Sequence, residues 1–268
     1  MCGLCGELRF DGSLPDLAAL ARMSAQLARR GPDHAGSYSD GSLAFGHRRL
    51  SIIDLSPSAN QPMVDAALQL ALVFNGTIYN YRELRTELVE LGYTFFSEGD
   101  SEVILKAYHA WGERCVERFY GMFAFAVWDQ RVRQLFLARD RFGIKPLYLA
   151  QSSEWLRFAS NVQALLAAGG VDTSLDPVAL HHHFTLHTVV PAPRTVLAGV
   201  RKLPPATTMT VAADGQTTQR VYWTLDATRP APPRTEAEWL DATREVLVRS
   251  LERRRLAADV PVGVLLSG

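Results

Sequence analysis

The sequence predicts an α+β protein with antiparallel sheets. From Gly121 onward, apolar and polar residues alternate with a period of two in short runs that end at turn residues. Strands that succeed one another on short turns pair antiparallel, because a parallel pair needs a long crossover connection. Other segments repeat their apolar residues at helical spacing, so helices and hairpins share the chain.

The N-terminal part is predicted to contain three strands and three helices. Glycines mark two helix ends, at Gly31 and Gly92, and Asp100 or Ser101 would cap the third helix. The pair Asn75-Gly76 indicates a tight turn, because both residue types tolerate positive φ. The predicted strands are 3–10, 42–53 and 68–74, and the predicted helices are 14–30, 80–91 and a segment from the cap at 100 or 101 to 111.

The following part is predicted to form three hairpins. The first two are 122–128 with 134–138, and 147–150 with 156–160. The third pairs 207–211 with 219–223 around the turn residues Asp214-Gly215. Helices are predicted at 162–168 and 177–184, and residues 190–206 are expected to cross the surface.

The composition changes after residue 225. Pro230, Pro232 and Pro233 indicate a linker over 226–235. A long helix is predicted over 235–256, with acidic residues at its start and three arginines at its end. The apolar run 260–266 is typical of a strand buried on both faces of a parallel sheet. The predicted domains are therefore 2–225 and 236–268, joined by this linker.

Composition favours a globular protein and argues against several other classes. Of 268 residues, 47% are hydrophobic and 21% are charged, and the length suggests more than one domain. Lys plus Arg and Asp plus Glu both number 28, which gives no support for a nucleic-acid partner. We expect no targeting peptide and no membrane span. Three cysteines without disulfide or zinc spacing favour a reducing compartment, the cytoplasm.

The first residues contain a candidate catalytic group. Removal of Met1 would leave Cys2 with a thiol and a free α-amine on one carbon. Ordinary pKa values of about 7.7–8.0 for the amine and 8.5 for the thiol allow proton exchange near neutral pH. This is the chemistry of an N-terminal nucleophile, whose own amine is the general base. Two alternatives stay open at this point: Cys2 begins a strand as a small apolar residue, or it forms a redox C-x-x-C pair with Cys5.

Six motifs follow one another along the chain: Cys2-Gly3-Leu4-Cys5-Gly6, Arg30-Gly31-Pro32-Asp33, Arg49-Leu50-Ser51-Ile52-Ile53-Asp54, Asn75-Gly76-Thr77-Ile78-Tyr79-Asn80, Gly99-Asp100-Ser101-Glu102 and Arg139-Asp140-Arg141-Phe142-Gly143-Ile144-Lys145-Pro146-Leu147-Tyr148. Class II glutamine amidotransferase domains have these motifs in the same order. The chain resembles glutamine-hydrolysing asparagine synthetase over essentially its whole length. The resemblance implies the N-terminal-nucleophile fold, a four-layer αββα sandwich of two antiparallel sheets, followed by the start of an α/β ATP-pyrophosphatase domain.

The resemblance implies a role for each matching residue. Cys2 would attack the side-chain amide carbon of glutamine, form a thioester and release ammonia. Asn75 and Gly76 would donate hydrogen bonds to the oxyanion. Arg49 would bind the α-carboxylate of glutamine, and Asp100 its α-ammonium group. The other predicted glutamine-binding residues are Leu50, Ser51, Ile52, Ile53 and Thr77.

Several of these roles have structural alternatives. Asn75-Gly76 is also compatible with a hairpin turn, although a helix rather than a strand follows. Asp100 is also compatible with helix capping, and both roles can hold together. Arg48 is expected to point to the opposite face of its strand from Arg49. Thr77 stands where the family usually has Glu, so a hydroxyl replaces a negative charge near the ammonium group and an altered KM for glutamine is expected.

No metal site is predicted. His181, His182 and His183 are consecutive on a predicted helix, where neighbouring side chains do not converge, so a surface or partly packed helix is expected. Residues 139–141 and Lys145 are basic, but the glycine and proline around them favour a shaped loop. The resemblance places this loop near a domain interface.

The end of the chain resembles the beginning of a pyrophosphate-binding loop of ATP-cleaving synthetases, at Leu266, Ser267 and Gly268. Most of an ATP site is therefore expected to be missing. The glutaminase half would need no cofactor. In a longer parent protein, ATP and Mg would activate a carboxylate, and ammonia from glutamine would amidate it. A homodimer is a further expectation.

The sequence leaves the ammonia acceptor open. Aspartate is the default acceptor, and N-acetylglutaminylglutamine is an alternative within related proteins. A second alternative is another class II amidotransferase, acting on a sugar phosphate or phosphoribosyl pyrophosphate, but the C-terminal motif argues against it. A non-catalytic module would be expected to lack the thiol or its partners, and all of them are present.

Overall fold

Two six-stranded sheets form the body of the protein. The computed structural model describes residues 1–228, 232 and 234–263. The strands are β1 (Gly3–Arg9), β2 (His34–Asp40), β3 (Leu43–Arg49), β4 (Met63–Asp65), β5 (Leu70–Ile78), β6 (Gly121–Asp129), β7 (Gln134–Arg139), β8 (Tyr148–Gln151), β9 (Trp155–Ala159), β10 (Arg201–Lys202), β11 (Thr207–Ala212) and β12 (Thr217–Val221). The helices are α1 (Leu17–Gln26), α2 (Tyr81–Glu90), α3 (Asp100–Trp111), α4 (Cys115–Arg118), α5 (Val162–Ala168), α6 (Pro177–Thr185) and α7 (Glu236–Leu256).

Every strand pairing in the two sheets is antiparallel, as predicted. The first sheet has the order β10-β8-β9-β1-β3-β2, and the second has the order β12-β11-β7-β6-β5-β4. Within the first sheet, β1 lies between β3 and β9, with Cys5 opposite both Gly46 and Ala159. The N-terminal strand is thus hydrogen-bonded on both edges, which fixes the position of Cys2 just before it.

The sheets and helices form four layers. Phe45, Trp128 and Phe158 belong to the core between the two sheets. Helices α1 and α5 cover the outer face of the first sheet, while α2 and α3 cover the outer face of the second. The predicted αββα sandwich is therefore confirmed.

Strand periodicity brings the functional candidates to one side. Leu4 and Phe45 of the first sheet face the second sheet, and Val73 of β5 faces the first. Side chains alternate between the two faces of a strand, so residues two or four positions apart point to the same face. Cys2, Arg49 and Asn75 are therefore directed between the sheets, like Leu4, Phe45 and Val73. The site therefore lies at one end of the space between the two sheets.

Three predictions about local structure are wrong. Asn75-Gly76 is not a turn, because β5 continues through both residues and pairs them with Ala124 and Phe123 of β6. Glycine is needed at 76, where an added Cβ would come within 2.3 Å of the carbonyl oxygen of Met122. The strand predicted over 42–53 ends at Arg49. The cap of α3 is Gly99, so Asp100 is the first helical residue and its side chain is free for another contact.

Three strands were not predicted: β2 and the short strands β4 and β10. The polar, half-exposed β2 pairs with β3 at the sheet edge but has little apolar alternation. In contrast, α5 has the predicted bounds, because the Asn161 side chain accepts a hydrogen bond from the Ala164 amide and Gly169 follows the last turn.

The predicted C-terminal helix is present as α7. Thr235 caps it, with a reciprocal bond to Glu238. Residues 260–263 form no strand. The remainder of the strand predicted over 260–266 lies outside the described residues, as do linker positions 229–231 and 233. Among the described residues, no helix combines the length and the apolar character that crossing a membrane requires.

Phe45→Ala tests the packing between the sheets. Phe45 has no exposed surface, and its ring packs edge-on against Phe158 at a centroid distance of 5.9 Å. The cavity should lower the free energy of unfolding by about 3–5 kcal/mol. Urea denaturation measures the loss. Leu14→Ala is the control, since Leu14 is 79% exposed and should change stability little; equal effects of both variants would contradict this account of the core.

Candidate active site

A cavity of about 130 Å3 lies beside Cys2. Its walls come from the start of β1, the loop after β3, the end of β5 and the start of α3. All the predicted catalytic residues line it, and so do most of the predicted glutamine-binding residues. The lining residues are Met1, Cys2, Arg49, Leu50, Ile52, Ile53, Ala59, Gln61, Phe74, Asn75, Gly76, Thr77, Asp100, Ser101, Met122 and Lys145.

The Cys2 sulfur is held against the loop that follows β3. The Leu50 amide donates to Sγ over 3.3 Å, and the thiol lies 3.6 Å from the Leu50 carbonyl oxygen as its acceptor. Arg30 donates from Nε to the Cys2 carbonyl oxygen at 3.1 Å. Burial raises the pKa of Cys2, and the Leu50 hydrogen bond and the nearby N-terminal charge oppose that rise. The resting thiol is therefore protonated and oriented.

Asn75 presents an unused donor to the cavity. Its side chain is 1% exposed, and Nδ2 has no hydrogen-bond partner among the described residues. A buried amide without a partner is costly, so such a group in a cavity wall is typical of a ligand contact. This donor fits the predicted oxyanion role, which stays a prediction.

Asp100 supplies a buried carboxyl to the same cavity. Its Oδ2 accepts a hydrogen bond from the Ile78 amide at 3.0 Å, which ties α3 to the end of β5 next to Thr77. Burial raises the pKa of Asp100 to about 7, and hydrogen bonds to the carboxylate oppose that rise. A cationic group entering the cavity would favour the ionised carboxylate.

Arg49 organises the loop after β3. Its Nη1 donates to the Ser56 carbonyl and to the Asn60 side chain, both at 2.8 Å. Its Nη2 donates to the Ile53 carbonyl at 3.3 Å and to the Asp54 carbonyl. Nε makes no hydrogen bond among the described residues, and the predicted contact of Arg49 with a substrate carboxylate stays a prediction.

Of two neighbours of Arg49, Arg48 has the orientation expected from strand geometry, and Ser51 lies in the loop after β3, outside the cavity lining. Arg48 faces α1, where its Nε donates to the Ser24 side chain at 3.2 Å, so it points away from the cavity as predicted. Ser51 contributes its amide, which donates to the Asp33 carboxylate at 2.7 Å. Ser51, a predicted glutamine-binding residue, does not line the cavity; its amide is bonded to the turn after α1 instead.

Two polar residues that line the cavity, Gln61 and Lys145, were not assigned to the site from the sequence, and Arg30 contacts the Cys2 backbone from outside the lining. Gln61 accepts from the Phe74 amide at 2.6 Å and donates to the Ser101 hydroxyl at 3.0 Å, so it joins β5 to α3. Arg30 was noticed only as part of a turn motif. Lys145 lies in the loop between β7 and β8, as predicted, and is buried in the cavity wall, where its Nζ lies 3.1 Å from the Met1 sulfur. Burial lowers the pKa of Lys145.

The remaining candidates lie elsewhere. Cys2, Cys5 and Cys115 are free thiols, and burial raises the pKa of Cys5 to about 12, which does not favour a redox pair. His181 to His183 lie on α6, exposed or half-buried. In the described part of the chain, no group of His, Cys, Asp and Glu side chains is arranged to hold a metal ion. Leu266, Ser267 and Gly268 lie outside the described residues.

Together, the sandwich of two antiparallel sheets and the cavity beside Cys2 define an amidotransferase of the N-terminal-nucleophile type. The chain belongs to the glutamine amidotransferase domain family, whose sequence profile matches residues 1–223. The match includes all twelve strands and ends before α7.

Comparison with individual proteins agrees with the family. A Mycobacterium tuberculosis protein, named provisionally as a glutamine-hydrolysing asparagine synthetase, is 40% identical over 289 residues; the match covers 99% of this chain and 44% of that protein. Glutamine-hydrolysing asparagine synthetase 1 of Bacillus subtilis is 37% identical, and the match covers 100% of this chain and 42% of the relative. The chain thus spans less than half the length of these relatives.

The fold is shared with a more distant enzyme. Glutamine phosphoribosylpyrophosphate amidotransferase of B. subtilis superposes with a TM-score of 0.61 at 17% identity, covering 85% of this chain and 50% of that one. At this identity the likeness concerns the fold alone.

Asp100→Asn tests the buried carboxyl through pH. Asp100 should keep its proton to about pH 7 when folded, against an ordinary pKa of 3.8. Between these two pKa values the carboxyl is ionised in the unfolded chain but protonated in the folded one. The free energy of unfolding therefore falls as pH rises, until the pH exceeds the folded pKa. Asn cannot ionise, but its oxygen can still accept from the Ile78 amide.

The Asn variant should therefore gain stability relative to the wild type as pH rises through this window. Urea unfolding of both proteins at about pH 4.5 and pH 8 measures the difference, in which the titration of other groups cancels. Parallel pH profiles would contradict a raised pKa at this site.

Proposed function

We propose that this chain hydrolyses glutamine at Cys2. The observation that carries the proposal is that one cavity contains a cysteine thiol, an unpaired buried amide donor at Asn75 and a buried carboxyl at Asp100. A nucleophile, an oxyanion donor and an ammonium-binding group are what thioester chemistry on glutamine requires.

The proposed reaction has two steps. After removal of Met1, the α-amine of Cys2 takes the thiol proton, and Sγ attacks the side-chain amide carbon of glutamine. The tetrahedral intermediate expels ammonia, which carries the proton away, and leaves a thioester. Water then attacks the thioester carbon, glutamate is released, and the proton returns to the thiolate. Asn75 Nδ2, with the backbone at Gly76, would stabilise the oxyanion in both steps.

Charge complementarity would orient glutamine in the cavity. The α-ammonium group is assigned to Asp100, and the α-carboxylate to Arg49, whose Nε makes no hydrogen bond among the described residues. Leu50, Ile52 and Ile53 provide the surrounding wall. Binding of the ammonium group would lower the pKa of Asp100 and so favour its carboxylate form.

The activity of a longer protein is part of the proposal. Its support is the resemblance to relatives more than twice as long whose names state asparagine synthesis from glutamine. Ammonia would amidate a carboxylate, with aspartate as the default acceptor and N-acetylglutaminylglutamine as the alternative. The proposed organisation has a glutaminase domain at 2–225, a linker at 226–235 and the start of a synthetase domain at 236–268; ATP, Mg and a homodimer stay predictions.

A reducing compartment such as the cytoplasm fits this chemistry. The reaction consumes no oxidant and requires Cys2 as a thiol, and all three cysteines are free.

Cys2→Ala should abolish glutaminase activity, with a loss of at least about a thousandfold in kcat. The assay is glutamate release by purified chain whose N-terminus has been determined by sequencing. Protein that keeps Met1 should be equally inactive, because the base is then part of a peptide bond.

Cys115→Ala is the matched control. This cysteine is buried in the core beside α3, outside the cavity, so the variant should keep its activity. Glutamate release that persists in Cys2→Ala would overturn the mechanism.

Thr77→Glu should lower KM for glutamine by about three- to tenfold, because a second carboxylate would stand near the substrate ammonium group. Thr77 is half-buried in the cavity wall, where the new side chain can reach the cavity. Steady-state kinetics measures the change. Thr77→Gln is the control of equal size without charge and should show no gain; an unchanged KM in the Glu variant would count against this assignment of the ammonium site.

A further inference from the structure

We propose that Asp259, in the segment after α7, is a positioning residue for the glutamine pocket. It holds the loop over residues 50–54 in the conformation that lines the cavity. This inference rests on the proposed glutaminase function and extends it to a residue outside the amidotransferase domain match, which ends at 223.

Two hydrogen bonds join Asp259 to the loop. The Asp259 amide donates to the Ile52 carbonyl oxygen at 2.9 Å, and Asp259 Oδ2 accepts from the Asp54 amide at 2.7 Å. The two contacts lie on either side of Ile53. Both Ile52 and Ile53 line the cavity, so Asp259 fixes this part of its wall from behind.

The segment that carries Asp259 is itself anchored to the amidotransferase domain. Ala257 is 2% exposed and belongs to the core cluster formed by β5, α2 and α3. Arg82 of α2 donates to the Leu256 carbonyl oxygen, and its Nη2 lies 3.5 Å from Asp259 Oδ1. These contacts give the carboxylate a defined place at the loop.

The loop needs this support because its backbone is strained. Asp54 has a φ of +48°, in the left-handed region that a residue with a side chain adopts at some cost. Arg49 binds the carbonyl oxygens of Ile53 and Asp54, while the Asp54 carboxylate accepts from the Glu98 amide at 2.7 Å. Asp259 supplies the acceptor for the backbone N–H of Asp54.

The arrangement connects α7 to glutamine binding. Only Ala257 and Ala258 separate the end of α7 from Asp259, so a displacement of the helix end would move the acceptor away from Asp54. The loop would then lose one of its backbone contacts, and Ile52 and Ile53 would leave their places in the wall. Glutamine affinity thereby depends on the position of α7.

The test compares Asp259→Ala, Asp259→Asn and wild type in the full chain, with Asp241→Ala as the control on the exposed surface of α7. The Ala variant should raise KM for glutamine about three- to tenfold, because the loss of one hydrogen bond changes affinity by about this factor. Its kcat should stay within about twofold of the wild-type value. The Asn variant keeps an oxygen acceptor for the Asp54 amide and should restore most of the affinity. Asp241→Ala should match the wild type.

Hydrogen exchange of a peptide covering residues 50–56 gives a readout that does not depend on catalysis. Exchange should be faster in Asp259→Ala than in Asp259→Asn or wild type. The inference fails if the KM or the exchange rate of the Ala variant equals that of the wild type, or if Asn is as impaired as Ala. A wild-type chain that releases no glutamate would instead overturn the proposed function, and the exchange data would still decide the role of Asp259.

Discussion

The guanidinium of Arg49 is the contact on which the geometry of the site depends. It extends from the last residue of β3 and binds three main-chain carbonyl oxygens and one side-chain oxygen of the loop that follows. A planar, permanently charged fork suits this task, because several donors act from one rigid group. The first residue of the loop, Leu50, holds the Cys2 sulfur, so the sheet, the loop and the thiol are fixed together.

Burial sets the charge state of this site before any substrate enters. It raises the pKa of both Cys2 and Asp100, so the thiol and the carboxyl are favoured in their neutral forms. A zwitterionic substrate changes this balance, because its ammonium group favours the Asp100 carboxylate. The Asp100 carboxylate is then favoured only when the substrate ammonium group is present to compensate its charge. The empty site therefore avoids the desolvation cost of a buried, unpaired charge.

The sequence identified elements whose signals are local. The bounds of α5 follow from a cap and a glycine, and the hairpin of β6 and β7 follows from alternation around a short turn. The turn predicted at Asn75-Gly76 was wrong because the local preference for a turn is weaker than the pairing with β6, whose residues are some fifty positions away. The edge strand β2 has too few apolar residues to show a period.

The same distinction applies to the site. Cys2, Arg49 and Asp100 could be named from ordered motifs, and the structure brings them to one cavity. Gln61 could not, because it reaches the cavity through tertiary packing, and Lys145 belongs to an ordered motif that did not reveal its place in the cavity wall. Gln61 acts by linking the backbone of Phe74 to Ser101, a contact between segments that no spacing in the sequence reveals.

A pocket that glutamine must enter cannot be closed by the sheets alone. Its wall therefore includes a loop, and a loop without regular backbone pairing is held only by individual contacts, each of modest free energy. Arg49 holds this loop from within the domain and Asp259 holds it from the segment after α7. The strained Asp54 is bonded from both sides, so removing either contact shifts the loop towards conformations that do not line the cavity. Glutamine affinity should therefore fall before the fold itself is affected.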